Sequence, residues 1–165
     1  MISKVVFKKI KFNNINPDTF KKYITKNGLF VFPAGPALAS IKKSKIYYNS
    51  LLKADFVFFD SGFFVLLFKI FKNINVYKFS GYKFLSLFFN YLKKNKKKSI
   101  FSIDPNLNFS KSNRSYLKSL GIKKINNYLA PKYKIKNLSD RKLLKLLKRI
   151  KPNFIIINIG GGIQE

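Results

Sequence analysis

The stretch that decides the fold is "ADFVFFDSGFFVLLFKIFKN", residues 54–73. Its first half, "DFVFF", is a short run rich in aromatic and β-branched residues, which predicts a strand. Asp60, Ser61 and Gly62 then form a turn, and Ser61 is a suitable N-cap for the apolar segment that follows. The stretch therefore predicts a strand followed directly by a helix, the repeating unit of an α/β protein.

The same alternation extends over the rest of the chain from residue 29. Further strands are predicted at "LFVF" (29–32), "SIFSI" (99–103) and "FIIINI" (154–159). Helices are predicted at residues 37–54, 61–73, 81–94, 113–122 and 139–151. We expect a Rossmann-like α/β fold with a mostly parallel sheet and helices on both faces, in which "FIIINI" is buried on both sides.

Composition excludes several classes of protein. The 165 residues are enough for one domain with a genuine core, and the 47% hydrophobic content is typical of a folded chain. The chain has no cysteine and no histidine. Disulfides, a zinc site of ordinary ligands and Ser-His or Cys-His nucleophiles are therefore excluded.

The apolar segments are too short to cross a bilayer. The uninterrupted apolar run at residues 63–68 is far below the roughly 20 residues that a membrane span needs. The lysine-rich start lacks the apolar region of a signal peptide. We expect a cytoplasmic protein, either soluble or peripheral to the inner face of the cell membrane.

The charge is extreme, with 34 Lys and Arg against 6 Asp and Glu, a net charge of +28. One explanation is a polyanionic partner, either nucleic acid or an anionic membrane surface. The other explanation is an AT-rich genome, whose codons encode Lys, Asn, Ile and Phe more often. We take this codon bias to be the origin of most of the charge. Under either explanation the lysines attract phosphates and anionic headgroups.

Gly, Pro and polar residues follow the predicted strands, in the loops "PAGPA", "DSG", "DPN" and "GGGIQE". In parallel α/β sheets, ligands bind at the carboxyl ends of the strands. The sequence therefore predicts that these loops hold the functional site.

Three segments resemble the WecG/TagA/CpsF glycosyltransferases, glycosyltransferase family 26: "KADFVFFDSGFFVLL", "INVYKFSGYKFL" and "KPNFIIINIGGGIQE". The resemblance covers residues 29–165, which leaves 1–28 as an N-terminal segment. It implies inverting transfer of an N-acetylmannosamine-type or related sugar from a nucleotide-sugar donor, without metal or cofactor. The implied acceptor is a polyprenyl-diphosphate-linked sugar in the synthesis of cell-surface polysaccharide.

The resemblance also implies roles for individual residues. Asp60 matches the general base that takes the proton of the acceptor hydroxyl; the alternative is an aspartate that caps a helix. The residues expected to bind substrate are Gly35, Ser61, Gly62, Ser80, Gly81, Asp104, Tyr133, Gly160, Gly161, Gly162 and Gln164. A plain tight turn is the alternative for the three terminal glycines, a helix or turn cap for Asp104, and a structural loop for Tyr133.

The chain also departs from the family. "FVFPAGPAL" lacks the usual Thr and Asn, "SGYK" replaces Gly-Ser-Asp, and "SIDPN" replaces a glycine pair, which suggests a different sugar. The family continues beyond its Gln-Glu with a further helix and strand. We therefore expect the 165 residues to be an incomplete domain with an exposed apolar face and weak activity.

Two other functions stay open: a basic nucleic-acid-binding domain and a non-catalytic membrane-surface protein. Most phenylalanines fall at expected core positions, which counts against base stacking and so against a specific nucleic-acid partner. The partners we expect are the donor, the lipid-linked acceptor, an anionic membrane surface and, in a homo-oligomer, further copies of the chain.

Overall fold

Strands and helices alternate through the chain in the computed structural model, which describes residues 4–39, 41–133 and 139–160. The predicted fold class is confirmed: the protein is α/β, Rossmann-like, with mostly parallel strands. These strands form two sheets. Contacts divide the chain into two units, the first ending at Phe88 and the second beginning at Phe89.

The first unit is built on a four-stranded sheet. Its strands are β1 (Lys4–Phe7), β2 (Ile10–Asn13), β3 (Phe30–Val31) and β4 (Phe56–Phe58). The sheet order is β1-β2-β4-β3, and only the β1–β2 pair in it is antiparallel. The helices are α1 (Lys21–Ile24), α2 (Gly35–Ala39), α3 (Lys45–Lys53), α4 (Gly62–Lys72) and α5 (Gly81–Lys94), within which the boundary between the units falls.

Aromatic rings fill much of the core of the first unit. The ring of Phe12 stacks on that of Phe59 with centroids 4.7 Å apart, and the ring of Phe58 stacks on that of Phe32 at 5.0 Å. Phe12, Phe58 and Phe59 are essentially inaccessible to solvent. These phenylalanines are therefore used for packing, which gives the carboxyl end of β4 a rigid support.

The second unit is built on a three-stranded parallel sheet. Its strands are β5 (Ile100–Asp104), β6 (Ile125–Leu129) and β7 (Phe154–Ile157), in the order β6-β5-β7. Its helices are α6 (Leu107–Ser119) and α7 (Arg141–Ile150). All five residues of β5 are buried, as expected for the central strand.

The prediction that "FIIINI" is buried on both faces is wrong. In the described residues β7 pairs with β5 alone, and the Ile155 side chain is 46% exposed. The buried central strand is β5, because β6 and β7 flank it on either side. A continuous apolar run does not by itself distinguish a central strand from an edge strand.

Two helices differ from their predicted bounds because of N-caps. The segment predicted as one helix at 37–54 is divided, since Ser44 is extended and its hydroxyl accepts the Tyr47 N–H at 3.3 Å, which starts α3 there. Helix α6 begins six residues earlier than predicted because the side chain of Asn106 accepts the Phe109 N–H at 3.1 Å. In each case a local polar side chain decided the boundary.

Among the strands and α-helices of the described residues, four were not predicted: β1, β2, α1 and β6. The β1–β2 hairpin turns at Lys8 and Lys9, which both have positive φ, 47° and 65°. Hairpin turns of this kind usually carry Asn or Gly, so two lysines gave no signal. The strand β6, "INNYL", has polar residues at its centre, which concealed it.

Candidate functional site

The polar turns that follow β3 and β4 lie together at one edge of the first sheet. Strands β3 and β4 are parallel neighbours, with Phe30 opposite Phe56, so their carboxyl ends are adjacent. Helix α2 begins at Gly35, after β3, and helix α4 begins at Gly62, after β4. This edge is where ligands bind in sheets of this kind.

Gly35 and Ser61 are in close approach across these two turns. A Cβ atom at position 35 would lie 2.8 Å from the Oγ atom of Ser61, which is too close for a side chain there. The Ser61 hydroxyl accepts the Phe64 N–H at 3.2 Å and so caps α4, as predicted. Gly35 therefore makes room for the cap of α4.

The start of α5 reaches the same place. The Phe79 N–H donates to the carbonyl of Phe59 at 2.8 Å, which aligns residues 79–81 with the end of β4. The Gly81 N–H then donates to Asp60 Oδ1 at 2.9 Å. The Ser80 hydroxyl accepts the Lys83 N–H at 3.2 Å, so two side chains cap the first turn of α5.

Asp60 therefore caps a helix, which is the structural role that the sequence also allowed. The helix it caps is α5, 21 residues further along the chain, and not the α4 helix that follows it directly. Its other oxygen, Oδ2, accepts no hydrogen bond from the described residues. The Gly81 contact fixes the orientation of the carboxylate.

Six of the predicted site residues are thus brought together: Gly35, Asp60, Ser61, Gly62, Ser80 and Gly81. The site contains the N-termini of two helices of 11 and 14 residues, α4 and α5. The first N–H groups of a helix have no partner within the helix and carry a partial positive charge, which favours anions. Lys78 adds a cation, since its Nζ lies 3.7 Å from the position of a Cβ on Gly62.

In the second unit, Asp104 forms the centre of a buried hydrogen-bond network. Its Oδ1 accepts from the Ser102 hydroxyl at 2.8 Å and from the amides of Asn113 at 2.7 Å and Asn158 at 3.0 Å. Its Oδ2 accepts from the amide of Asn127 at 3.1 Å. The carboxylate is fully buried, and these donors join β5, β6 and the end of β7 to α6.

The charge of Asp104 is stabilised by this network. Burial by itself raises the pKa of a carboxyl, but the hydrogen bonds from Asn127, Asn113, Ser102 and Asn158 outweigh burial and lower the pKa of Asp104. The three asparagines were not predicted. Asparagine at the end of an otherwise apolar strand, as in "FIIINI", is the signal that could have identified Asn158.

Tyr133 belongs to a third cluster, which it forms with Tyr128 and Asp140. Its hydroxyl and that of Tyr128 both donate to Asp140 Oδ2, at 2.8 and 2.9 Å, while Asp140 Oδ1 accepts the Leu143 N–H at 2.9 Å and caps α7. Burial, together with the hydrogen bond to Asp140, raises the pKa of Tyr133. The two tyrosines and Arg141 line a surface cavity of about 620 Å³.

The remaining predicted site residues belong to the terminal turn. Gly160 is described, is exposed, and has a φ of +96°, a conformation that favours glycine. Gly161, Gly162 and Gln164 lie outside the described residues. Within the described ranges, no three Asp, Glu, His or Cys side chains lie close enough to share a metal ion.

The fold and the first site define an α/β protein with polar, glycine-containing turns at the carboxyl ends of parallel strands. No protein-family model matches the sequence, and no curated protein matches it significantly. Among the helices of residues 4–39, 41–133 and 139–160, none is both long and apolar enough to cross a membrane.

Proposed function

We propose that the protein is an inverting glycosyltransferase that takes a sugar from a nucleotide-sugar donor and transfers it to a lipid-linked sugar acceptor. The observation that carries the proposal is the hydrogen bond between Asp60 Oδ1 and the Gly81 N–H at 2.9 Å. That bond places an oriented carboxylate between the N-termini of α4 and α5. The resemblance to the WecG/TagA/CpsF family supplies the reaction class.

The donor's diphosphate suits the two helix N-termini. The N–H groups that the caps leave free bind phosphate oxygens, and Lys78 adds a positive charge beside Gly62. The same groups stabilise the charge that develops on the diphosphate as it leaves. Glycine at position 62 lets the backbone approach the phosphates closely beside the Lys78 ammonium.

Asp60 acts as the base in this scheme. The acceptor hydroxyl oxygen attacks the anomeric carbon of the donor sugar and forms the new glycosidic bond, while the bond to the diphosphate breaks. The nucleoside diphosphate leaves with the bonding electron pair, and the hydroxyl proton passes to Asp60 Oδ2. Attack opposite the leaving group inverts the anomeric carbon.

Heat stability in the presence of nucleotide-sugars tests the donor site. A ligand present at 100 times its dissociation constant raises the unfolding free energy by about 2.7 kcal/mol. Because a chain of net charge +28 attracts any phosphate, inorganic diphosphate and nucleoside triphosphates are included at matched ionic strength. Stabilisation specific to a nucleotide-sugar supports the proposal, and equal stabilisation by every polyanion contradicts it.

A further inference from the structure

Helix α4 has apolar side chains on its outer face as well as its inner one. Phe64 and Phe68 are buried in the core of the first unit. Phe63, Leu66 and Ile70 recur at spacings of three and four, so they share the opposite face. Phe63 is 69% and Ile70 63% exposed, and the adjacent Phe71 is 75% exposed. We call Phe63, Leu66, Ile70 and Phe71 the outer face of α4.

Positive charge borders this face at both ends. Lys69 and Lys72 are exposed in the last turn of α4. At the other end the ammonium of Lys78 lies beside Gly62, one residue before Phe63. Residues 61–94 contain no Asp or Glu at all. An apolar surface bordered by lysines is the pattern of helices that lie in the interface of a membrane.

We propose that the outer face of α4 docks on an anionic lipid bilayer. Its aromatic and aliphatic side chains enter the boundary between headgroups and acyl chains, while Lys69 and Lys72 contact the anionic headgroups. The helix lies in the plane of the surface, because its inner face stays packed in the core through Phe64 and Phe68. The affinity for the bilayer is the sum of the apolar area that the helix buries and the attraction of its lysines to anionic headgroups.

Charge favours a bilayer over a second copy of the chain. A two-fold symmetric dimer would bring Lys69 and Lys72 of one copy against the same face of the other, between two chains of +28 each. Side-chain chemistry favours it over nucleic acid. Phe63 and Phe71 offer rings, but Leu66 and Ile70 on the same face offer none on which a base can stack.

The docked helix carries the candidate site. Ser61, the cap of α4, lies directly before the outer face, so docking holds the N-terminus of α4 near the bilayer surface. Delivery of a lipid-linked acceptor from the bilayer to this N-terminus rests on the proposed function. The docking itself does not, because it is measured without donor or acceptor.

The test uses a single tryptophan, because the chain contains none. In Phe63→Trp the reporter stands on the outer face; in Ile46→Trp, the matched control, it stands on an exposed position of α3. Both are titrated with vesicles of phosphatidylcholine alone and with a phosphatidylglycerol fraction. We expect a blue shift, and quenching by brominated acyl chains, for Phe63→Trp with the anionic vesicles alone.

Two pairs of variants separate the contributions in a vesicle sedimentation assay. Phe63→Ser/Ile70→Ser should weaken binding by at least about tenfold, and Ile46→Ser should leave it unchanged. Lys69→Glu/Lys72→Glu should weaken it by at least about fivefold per lysine, and more than Lys53→Glu on α3. All these substitutions are at exposed positions and should leave the core intact, which circular dichroism checks.

Several outcomes would overturn the proposal. One is a Phe63→Trp emission that does not respond to anionic vesicles, and another is equal loss of binding in the α3 controls. Burial of the reporter without vesicles, dependent on protein concentration, would show a dimer interface instead. A larger response of the Phe63→Trp emission to an oligonucleotide than to vesicles would show a nucleic-acid-binding surface. Vesicle docking without nucleotide-sugar binding would leave this inference standing and remove the proposed function.

Discussion

The carboxylate of Asp60 accepts a hydrogen bond from the backbone N–H of Gly81, with 2.9 Å between Oδ1 and nitrogen. This contact joins the end of β4 to the start of α5, across 21 residues. A carboxylate at a helix N-terminus is favoured by the helix dipole. The same contact orients the group that we propose as the base, so structural and chemical roles coincide at Asp60.

Asp60→Asn should separate those two roles. The asparagine keeps a side-chain oxygen that can accept the Gly81 N–H, but it cannot take the acceptor's proton. We expect sugar transfer to fall by about 10² to 10⁴ while donor binding and heat stability change little. Transfer is measured with radiolabelled donor sugar, and donor binding by calorimetry.

Asp55→Asn is the matched control, because its carboxylate also accepts a backbone N–H, that of Leu29 at 2.8 Å, in the same unit. It should leave transfer unchanged. Near-normal transfer in Asp60→Asn, or an equal loss in both variants, would be evidence against the assigned role.

Gly35→Ala should destabilise the first unit. The added Cβ atom would lie 2.8 Å from Ser61 Oγ, so the hydroxyl must move away and lose its hydrogen bond to the Phe64 N–H. Loss of an N-cap costs about 1 kcal/mol of unfolding free energy. Urea denaturation followed by circular dichroism measures this difference.

Gly62→Ala is the control for that substitution, since the nearest atoms to its Cβ are the far end of the Lys78 side chain at 3.7 Å or more. Alanine is also a better helix former than glycine, so stability should stay equal or rise. Equal destabilisation by both substitutions would show that the Gly35–Ser61 contact is not the cause.

Asp104→Ala should destabilise the second unit strongly. The four donors from Ser102, Asn113, Asn127 and Asn158 would lose their common acceptor inside a buried site. Leaving buried polar groups without partners makes the loss large, about 3 kcal/mol or more. Hydrogen exchange of the β5 amides reports on this unit specifically.

The comparison is Asn108→Ala on the exposed side of α6, which should change the exchange rates little. If the β5 amides of Asp104→Ala exchange as slowly as those of the unmodified protein, the network does not hold the three strands together.

Acid should weaken the second unit through Asp104 and Asp140. Burial raises the pKa of each carboxyl, but hydrogen bonds prevail and lower both below the ordinary value of 3.8. A group whose folded-state pKa is lowered stabilises the fold fully above its unfolded pKa. That contribution is lost as the pH falls through the folded-state pKa.

We therefore expect the unfolding free energy to fall steeply below about pH 4, as measured by urea titration at a series of pH values. The slope should be smaller in Asp104→Asn, which has no carboxyl to protonate. An unchanged slope in that variant would contradict the contribution of Asp104.

The two tyrosines that share Asp140 should act cooperatively. Tyr128→Phe and Tyr133→Phe each remove one donor to Oδ2, at a cost of about 1 kcal/mol. The double variant should lose more than the sum, because in each single variant the remaining hydroxyl still serves the carboxylate. A double-mutant cycle by chemical denaturation measures the difference, and strict additivity would argue against a shared acceptor.

Alkaline titration gives a second measure of this cluster. Burial, with the Asp140 contact, raises the pKa of both tyrosines above the ordinary value of 10.0. Their contribution to stability is present below that value and is lost as the pH rises through the raised pKa values. Tyrosinate absorbance should therefore show a late phase that is smaller in Tyr133→Phe.

The sequence by itself determined the α/β class, because the periodicity of apolar residues and the Gly and Pro turns are local properties. Strands at β3, β4 and β5 and the helices α4 and α5 were predicted close to their observed bounds. The Ser61 cap was also predicted, since capping depends on residues only three apart. Asp60 was identified as a polar group at the end of a strand.

Contacts between residues distant in sequence were decided by tertiary structure alone. The Asp60 contact with Gly81 and the convergence of three asparagines on Asp104 both depend on which strands become neighbours. The burial of β5 and the partial exposure of β7 also depend on strand pairing, because an apolar run does not indicate whether its strand is central or at an edge. Local sequence specifies how each segment folds; the pairing of strands decides which side chains meet, and pairing is a property of the whole chain.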